Sequence, residues 1–138
     1  GYNIDSITGG VTADERFSRI TVVCSGDELI LEQITNQLAK LVDVRDIKIL
    51  ESDNSVCHEL MMIKVAAKPE QRQGLISIAD VFHAKVADVS VDSMILEMTG
   101  NHNKLEAFLE LMGDYEILEL ARTGMTGLSR GSQDVTYF

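Results

Sequence analysis

Apolar residues recur at helical spacing in three stretches. Across residues 26–40, Ile30, Ile34 and Leu38, with Leu41 just beyond, mark one face of a helix at i, i+4, i+8 and i+11. Ser25 with Glu28 three residues later forms a capping-box pattern, and Asp27 stands beside the positive end of that helix. Residues 69–83 place Leu75, Ile78, Ala79 and Phe82 on one stripe. Pro69 suits the first helical position, where its missing N–H costs nothing. Gly74 weakens the centre by about 1 kcal/mol relative to Ala. Residues 102–112 set Leu105, Phe108, Leu109 and Met112 on a third face, with Asn101 placed to cap its start and Gly113 to end it.

Between these stretches the pattern predicts strands. Asn3–Thr8 and Phe17–Cys24 pair across a turn containing Gly9-Gly10 and Thr12-Ala13-Asp14. Asp46–Leu50 alternates, and Glu59–Ala66 is apolar enough for a central strand. Lys85–Val91 and Ser93–Thr99 flank a tight turn at Asp92-Ser93, and Tyr115–Ala121 closes the series. Residues 57–121 therefore spell β-α-β-β-α-β and residues 1–50 spell β-β-α-β. The second string is the first without its opening β-α. The expected class is α+β: two ferredoxin-like (βαββαβ) units in tandem, the leading one lacking its first strand and helix. In that plan two helices cover one face of a four-stranded antiparallel sheet, and the opening strand lies between the third and fourth. Without that strand, residues 1–50 should show apolar faces and unpaired edges, and should be poorly ordered or completed by another subunit. The sequence begins on Gly1, with no initiator Met, and reads as a fragment or a processed product.

The 138 residues are 45% hydrophobic and 25% charged, which is globular composition with material for a core. Twenty-two acids against twelve Lys and Arg leave a net charge of −10. Such a chain repels phosphate, so neither nucleic acid nor an anionic membrane is an expected partner. No apolar run spans a bilayer, and Gly1–Asp5 has no signal-peptide character. Two cysteines, Cys24 and Cys57, are too few for a disulfide framework and fit buried thiols in a reducing compartment.

Candidate chemistry is sparse. Cys57 and His58 are adjacent in a strand and point to opposite faces, and no CxxC or HxxxH spacing joins them to His83 or His102, so no metal site is expected. His83 ends a helix, where it suits the dipole. There is no G-x-S-x-G; Ser129, in Gly127-Leu128-Ser129-Arg130-Gly131, has no neighbouring base. Gly124-Met125-Thr126-Gly127 lacks the Lys and Ser/Thr of a phosphate loop and reads as a flexible turn before a disordered tail. Glu106 and Glu110 read as a solvated helix face, and Met61, Met62, Met94 and Met98 as strand core. An RNA-recognition module would need stacking aromatics and basic residues, and a metallochaperone its CxxC. What remains is a module that binds a small ligand or another protein.

Specific stretches carry a resemblance. They are Gly1–Ser6, Asp14–Thr21, Leu31–Ile34 with Gln37-Leu38, Lys40–Val44, Glu59–Val65, Lys104–Leu109 and Ala121–Gly131. In this order and spacing the chain resembles the small, regulatory subunits of acetolactate synthase (acetohydroxyacid synthase). The resemblance implies an ACT domain over residues 1–52, a C-terminal ferredoxin-like domain over 53–131 and a disordered tail over 132–138. It implies a non-catalytic subunit, without catalytic residues, metal or cofactor of its own. Family members dimerise through their ACT sheets and bind valine or another branched-chain amino acid at that interface. They activate the large catalytic subunit, a transferase carrying thiamine diphosphate, Mg²⁺ and FAD, and confer feedback inhibition on it. The family's first strand, its Asn- and Gly-containing loop and its first helix precede Gly1-Tyr2-Asn3-Ile4 and are absent here. Half of the effector pocket goes with them. The half that maps is Asn3, whose amide offers a donor and an acceptor to a zwitterion, and Ile4, shaping the pocket through its backbone. The alternative from another class is a free-standing amino-acid sensor acting on a different partner. The expected location is the cytoplasm, or a plastid or mitochondrion in a eukaryote.

Overall fold

The structure is a computed structural model that describes residues 3–136. The chain packs as two units, one formed by residues up to 56 together with those from 125 on, the other by residues 57–124.

The first unit opens with strands β1 (Asn3–Val11) and β2 (Ser18–Ser25), an antiparallel pair that places Asn3 opposite Ser25 and Val11 opposite Ser18. A bulge interrupts the ladder between Ile4 and Ser6. Gly9 and Gly10 stay inside β1 rather than in the turn, which is tied by polar groups further on. The Thr12 N–H donates to Phe17 O at 3.0 Å, and the Asp14 carboxylate accepts from the Arg16 N–H at 3.1 Å. Helix α1 (Glu28–Ala39) follows. Its cap is Asp27, whose carboxylate accepts from the Ile30 N–H at 2.9 Å. Ser25, expected in that role, instead donates its hydroxyl to Asp5 at 2.7 Å.

The expected strand at Asp46–Leu50 does not form. In the ferredoxin-like plan the last strand pairs only with the opening one, and no strand precedes β1 among the described residues. Asp46–Leu50 therefore has alternation without a ladder to join. Apolar surface of this unit is open. Ile7 and Val22 face each other across the hairpin with Ile20 beside them, all exposed, and α1 buries none of its residues.

The second unit realises the full plan. Strand β3 (Ser55–Ala66) leads through a 3-10 turn at Pro69–Gln71 into helix α2 (Arg72–Phe82). Strands β4 (Lys85–Val89) and β5 (Ser93–Gly100), helix α3 (His102–Leu111) and strand β6 (Ile117–Arg122) complete it. The sheet order is β4-β5-β3-β6, antiparallel throughout, so the opening strand lies between the third and fourth as expected. A short β7 (Thr126–Ser129) also pairs with β3. The segment read as a flexible turn, 124–127, thus runs into a strand.

Every fully buried hydrophobic side chain among the described residues lies between Met61 and Met112. Period two turns Met61, Ile63 and Val65 of β3 inward, with Met94, Leu96 and Met98 of β5 beside them. Leu75 and Ala79 of α2 and Leu105 and Phe108 of α3 close over this face, and Phe82 meets Phe108 edge-on at 5.4 Å. Met62, expected in the core, points to the opposite face and is exposed. The cap of α3 is as expected: the Asn101 side chain accepts from the Lys104 N–H at 2.9 Å.

Candidate functional site

The effector residues read from the sequence, Asn3 and Ile4, sit together at the start of β1. Asn3 pairs with Ser25 and Ile4 with Cys24, so both lie where β2 ends and the chain turns into α1. The bulge after Ile4 shifts the pairing there, and both side chains are exposed. A shallow, solvent-open depression along α1 is lined by Gln33, Ile34, Gln37 and Leu38, and neither Asn3 nor Ile4 lines it.

A second constellation was not singled out in the sequence. Glu59 stands on β3 in register with Met61 and Ile63, on the face that packs inward, and its side chain is 5% exposed. A carboxylate there needs a cation and donors. Arg122, across the ladder on β6, supplies them: Nε donates to Glu59 Oε1 at 2.8 Å, and Nη2 donates to the same oxygen. The Gly124 N–H donates to Glu59 Oε2 at 3.1 Å. Arg122 also reaches Glu106 of α3, Nη1 to Oε1 at 3.0 Å. Burial works against the charge on this guanidinium, but its hydrogen bonds to Glu59 and Glu106 outweigh it and hold its pKa above the ordinary arginine value. The signal was legible: period two puts Glu59 on the same face as Met61, Ile63 and Val65.

The remaining candidates are dispersed. Cys57 is half-buried and His58 exposed, in keeping with opposite faces. His83 closes α2 with a left-handed backbone, φ 56°, and its N–H returns to Asp80 O. The Ser129 hydroxyl donates to Asp134 O at 3.1 Å. No three His, Cys, Asp or Glu side chains converge as a metal site among the described residues. Near the C-terminus, Lys48 pairs with Asp134 at 3.2 Å and the Thr136 hydroxyl lies 3.1 Å from the Asp46 carboxylate.

Comparison with known proteins places this architecture. Residues 1–46 match the AHAS small subunit-like ACT domain, and residues 58–131 match the family described as the small subunit of acetolactate synthase. The fold and these matches define an ACT-type small subunit built from two α+β units. The chain belongs to the acetolactate synthase small-subunit family. A relative from Archaeoglobus fulgidus, named a probable acetolactate synthase small subunit, is 43% identical over 134 residues, covering 96% of this chain and 83% of its own. The acetolactate synthase small subunit of Bacillus subtilis is 44% identical over 133 residues, covering 96% and 77%. The crystal structure of the small subunit from Thermotoga maritima superposes with a TM-score of 0.88 at 35% identity, over 96% of this chain and 83% of that one.

Proposed function

We propose that this chain is a regulatory subunit that binds the large catalytic subunit of acetolactate synthase, raises its activity and makes it responsive to a branched-chain amino acid such as valine. The observation that supports this reading is that both units match small-subunit families, in order, along 1–46 and 58–131. Thiamine diphosphate, Mg²⁺ and FAD would belong to the catalytic partner, and this subunit would carry no cofactor. Two copies would meet through the sheet of the first unit, where β1 and β2 leave Ile7, Ile20 and Val22 uncovered. Asn3 and Ile4 would line the effector pocket at that joint, the Asn3 amide meeting the ammonium and carboxylate of the ligand. Effector binding would favour one arrangement of the pair, and the catalytic subunit would respond to that shift.

The test is an assay of acetolactate formation by the catalytic subunit from the same source, with and without this chain, across valine concentrations. The expected result is higher activity without valine and a decline as valine is added. Indifference to the chain at every valine concentration overturns the reading. Asn3→Ala should raise the valine needed for half-inhibition about tenfold, the loss of one hydrogen-bonded contact to a charged ligand.

A further inference from the structure

The chain passes between its two units twice, after Val56 and after Gly124. On the second unit these passages emerge side by side, at the start of β3 and the end of β6. Met61 lies opposite Arg122, the Thr123 N–H donates to Leu60 O at 3.0 Å, and the Leu60 N–H donates to Thr123 Oγ1 at 3.1 Å. One residue further out, a side chain takes over from the ladder. Glu59 on the first passage accepts the Gly124 N–H of the second through one oxygen and two Arg122 donors through the other. Arg122 extends the tie to Glu106 on α3. Gly124 leaves with φ 88°, a conformation that favours glycine. All of these groups belong to the second unit.

A buried carboxylate–guanidinium pair is an indirect way to gain stability, because desolvation offsets most of its attraction and an apolar replacement is often as good. What it supplies is direction. Charge-assisted hydrogen bonds fix the register of residues 59–60 against 122–124 in a way that apolar contact would not. We propose that Glu59 is a positioning residue that locks the two passages into one paired element, and that the response of the catalytic partner to the branched-chain amino acid depends on this lock. The inference rests on the regulatory reading above. Energetic coupling needs an element whose arrangement both ends can bias, and these two strands are the covalent routes by which a change in one unit reaches the other.

The experiment uses the reconstituted holoenzyme. Glu59→Gln keeps the shape and withdraws the charge; Arg122→Lys keeps the charge and loses the planar fork. Both variants should activate the effector-free catalytic subunit within about twofold of wild type, yet need about tenfold more valine for half-inhibition, a shift within the usual range of coupling between sites. Glu106→Gln, on the exposed limb, should stay close to wild type in both measures. Folded variants with wild-type inhibition curves overturn the proposal. Hydrogen exchange on the wild-type holoenzyme gives a reading that needs no variant: valine should change the protection of the Thr123 and Gly124 amides, and unchanged protection overturns the lock. A wild-type chain that leaves the catalytic subunit indifferent sinks the regulatory reading and this one together. A responsive wild type with equally responsive variants sinks this one alone.

Discussion

The charge on Glu59 is tolerable because both of its oxygens accept hydrogen bonds and a guanidinium neutralises it. Removing its cation leaves an uncompensated carboxylate in the core, so Arg122→Ala should cost about 3–5 kcal/mol in chemical denaturation. The opposite sign is expected at His83. This residue holds a left-handed backbone at the end of α2, where a side chain is strained and glycine is not. His83→Gly should stabilise by about 1 kcal/mol, measured in the same denaturation experiment. Asp14 offers a pH signature. Its side-chain hydrogen bond to Arg16 holds the carboxyl below the ordinary aspartate range. A depressed pKa means that the interaction stabilises the turn above the unfolded-state value and is lost as pH falls through the folded one. An NMR titration should place the Asp14 midpoint below that of an unstructured aspartate, and Arg16→Ala should bring it part of the way back, because the backbone N–H at position 16 still donates to the carboxylate. Much at this scale was readable in advance. Asn101 was recognisable as a cap from type and position alone. The choice of Asp27 over Ser25 was not, because both are good caps by type and only the start of α1 at Glu28 puts Asp27 next to it.

At the scale of elements, helical periodicity located α2 and α3 because each has a sheet to cover. Phe108 is fully buried against β3, β5 and Phe82, and Phe108→Ala should cost about 3–5 kcal/mol. Gly74, in the first turn of α2, has a packing reason that periodicity does not contain. A Cβ there would meet the Tyr115 hydroxyl oxygen at 2.9 Å. Gly74→Ala should therefore gain less than the ~1 kcal/mol of helix propensity in wild type and recover it in a Tyr115→Phe background, a coupling that a double-mutant cycle measures. Asp46–Leu50 shows the converse. Alternation describes what a strand buries, while a strand exists only beside another edge. The local pattern was sound, and among the described residues no strand offers it an edge.

For the whole molecule, the two units were visible as a repeated string, and the resemblance located the family. The effector residues Asn3 and Ile4 came from the resemblance rather than from physics, since an exposed Asn at a strand start is common in any hairpin. The Glu59 tie was open to physical reading but needed Arg122, sixty-three positions away, to give it meaning. The units also differ in how they are held. One encloses all of the fully buried hydrophobic side chains among the described residues, and the other leaves Ile7, Ile20 and Val22 in solvent. Amides of β3 and β5 should accordingly exchange far more slowly than those of β1 and β2 in the isolated chain.

The hydrogen bond of Glu59 to Gly124, close to where the chain enters and leaves the second unit, has a topological consequence. A polypeptide that leaves one body and returns to it through neighbouring strand ends is organised like a guest domain inserted into a host loop. Such a guest can be spliced out, its near-adjacent ends demanding little closure entropy from either piece. A gene encoding residues 55–124 alone should yield a soluble, cooperatively melting protein, and the host, bridged by a few glycines, should remain a single uninterrupted chain.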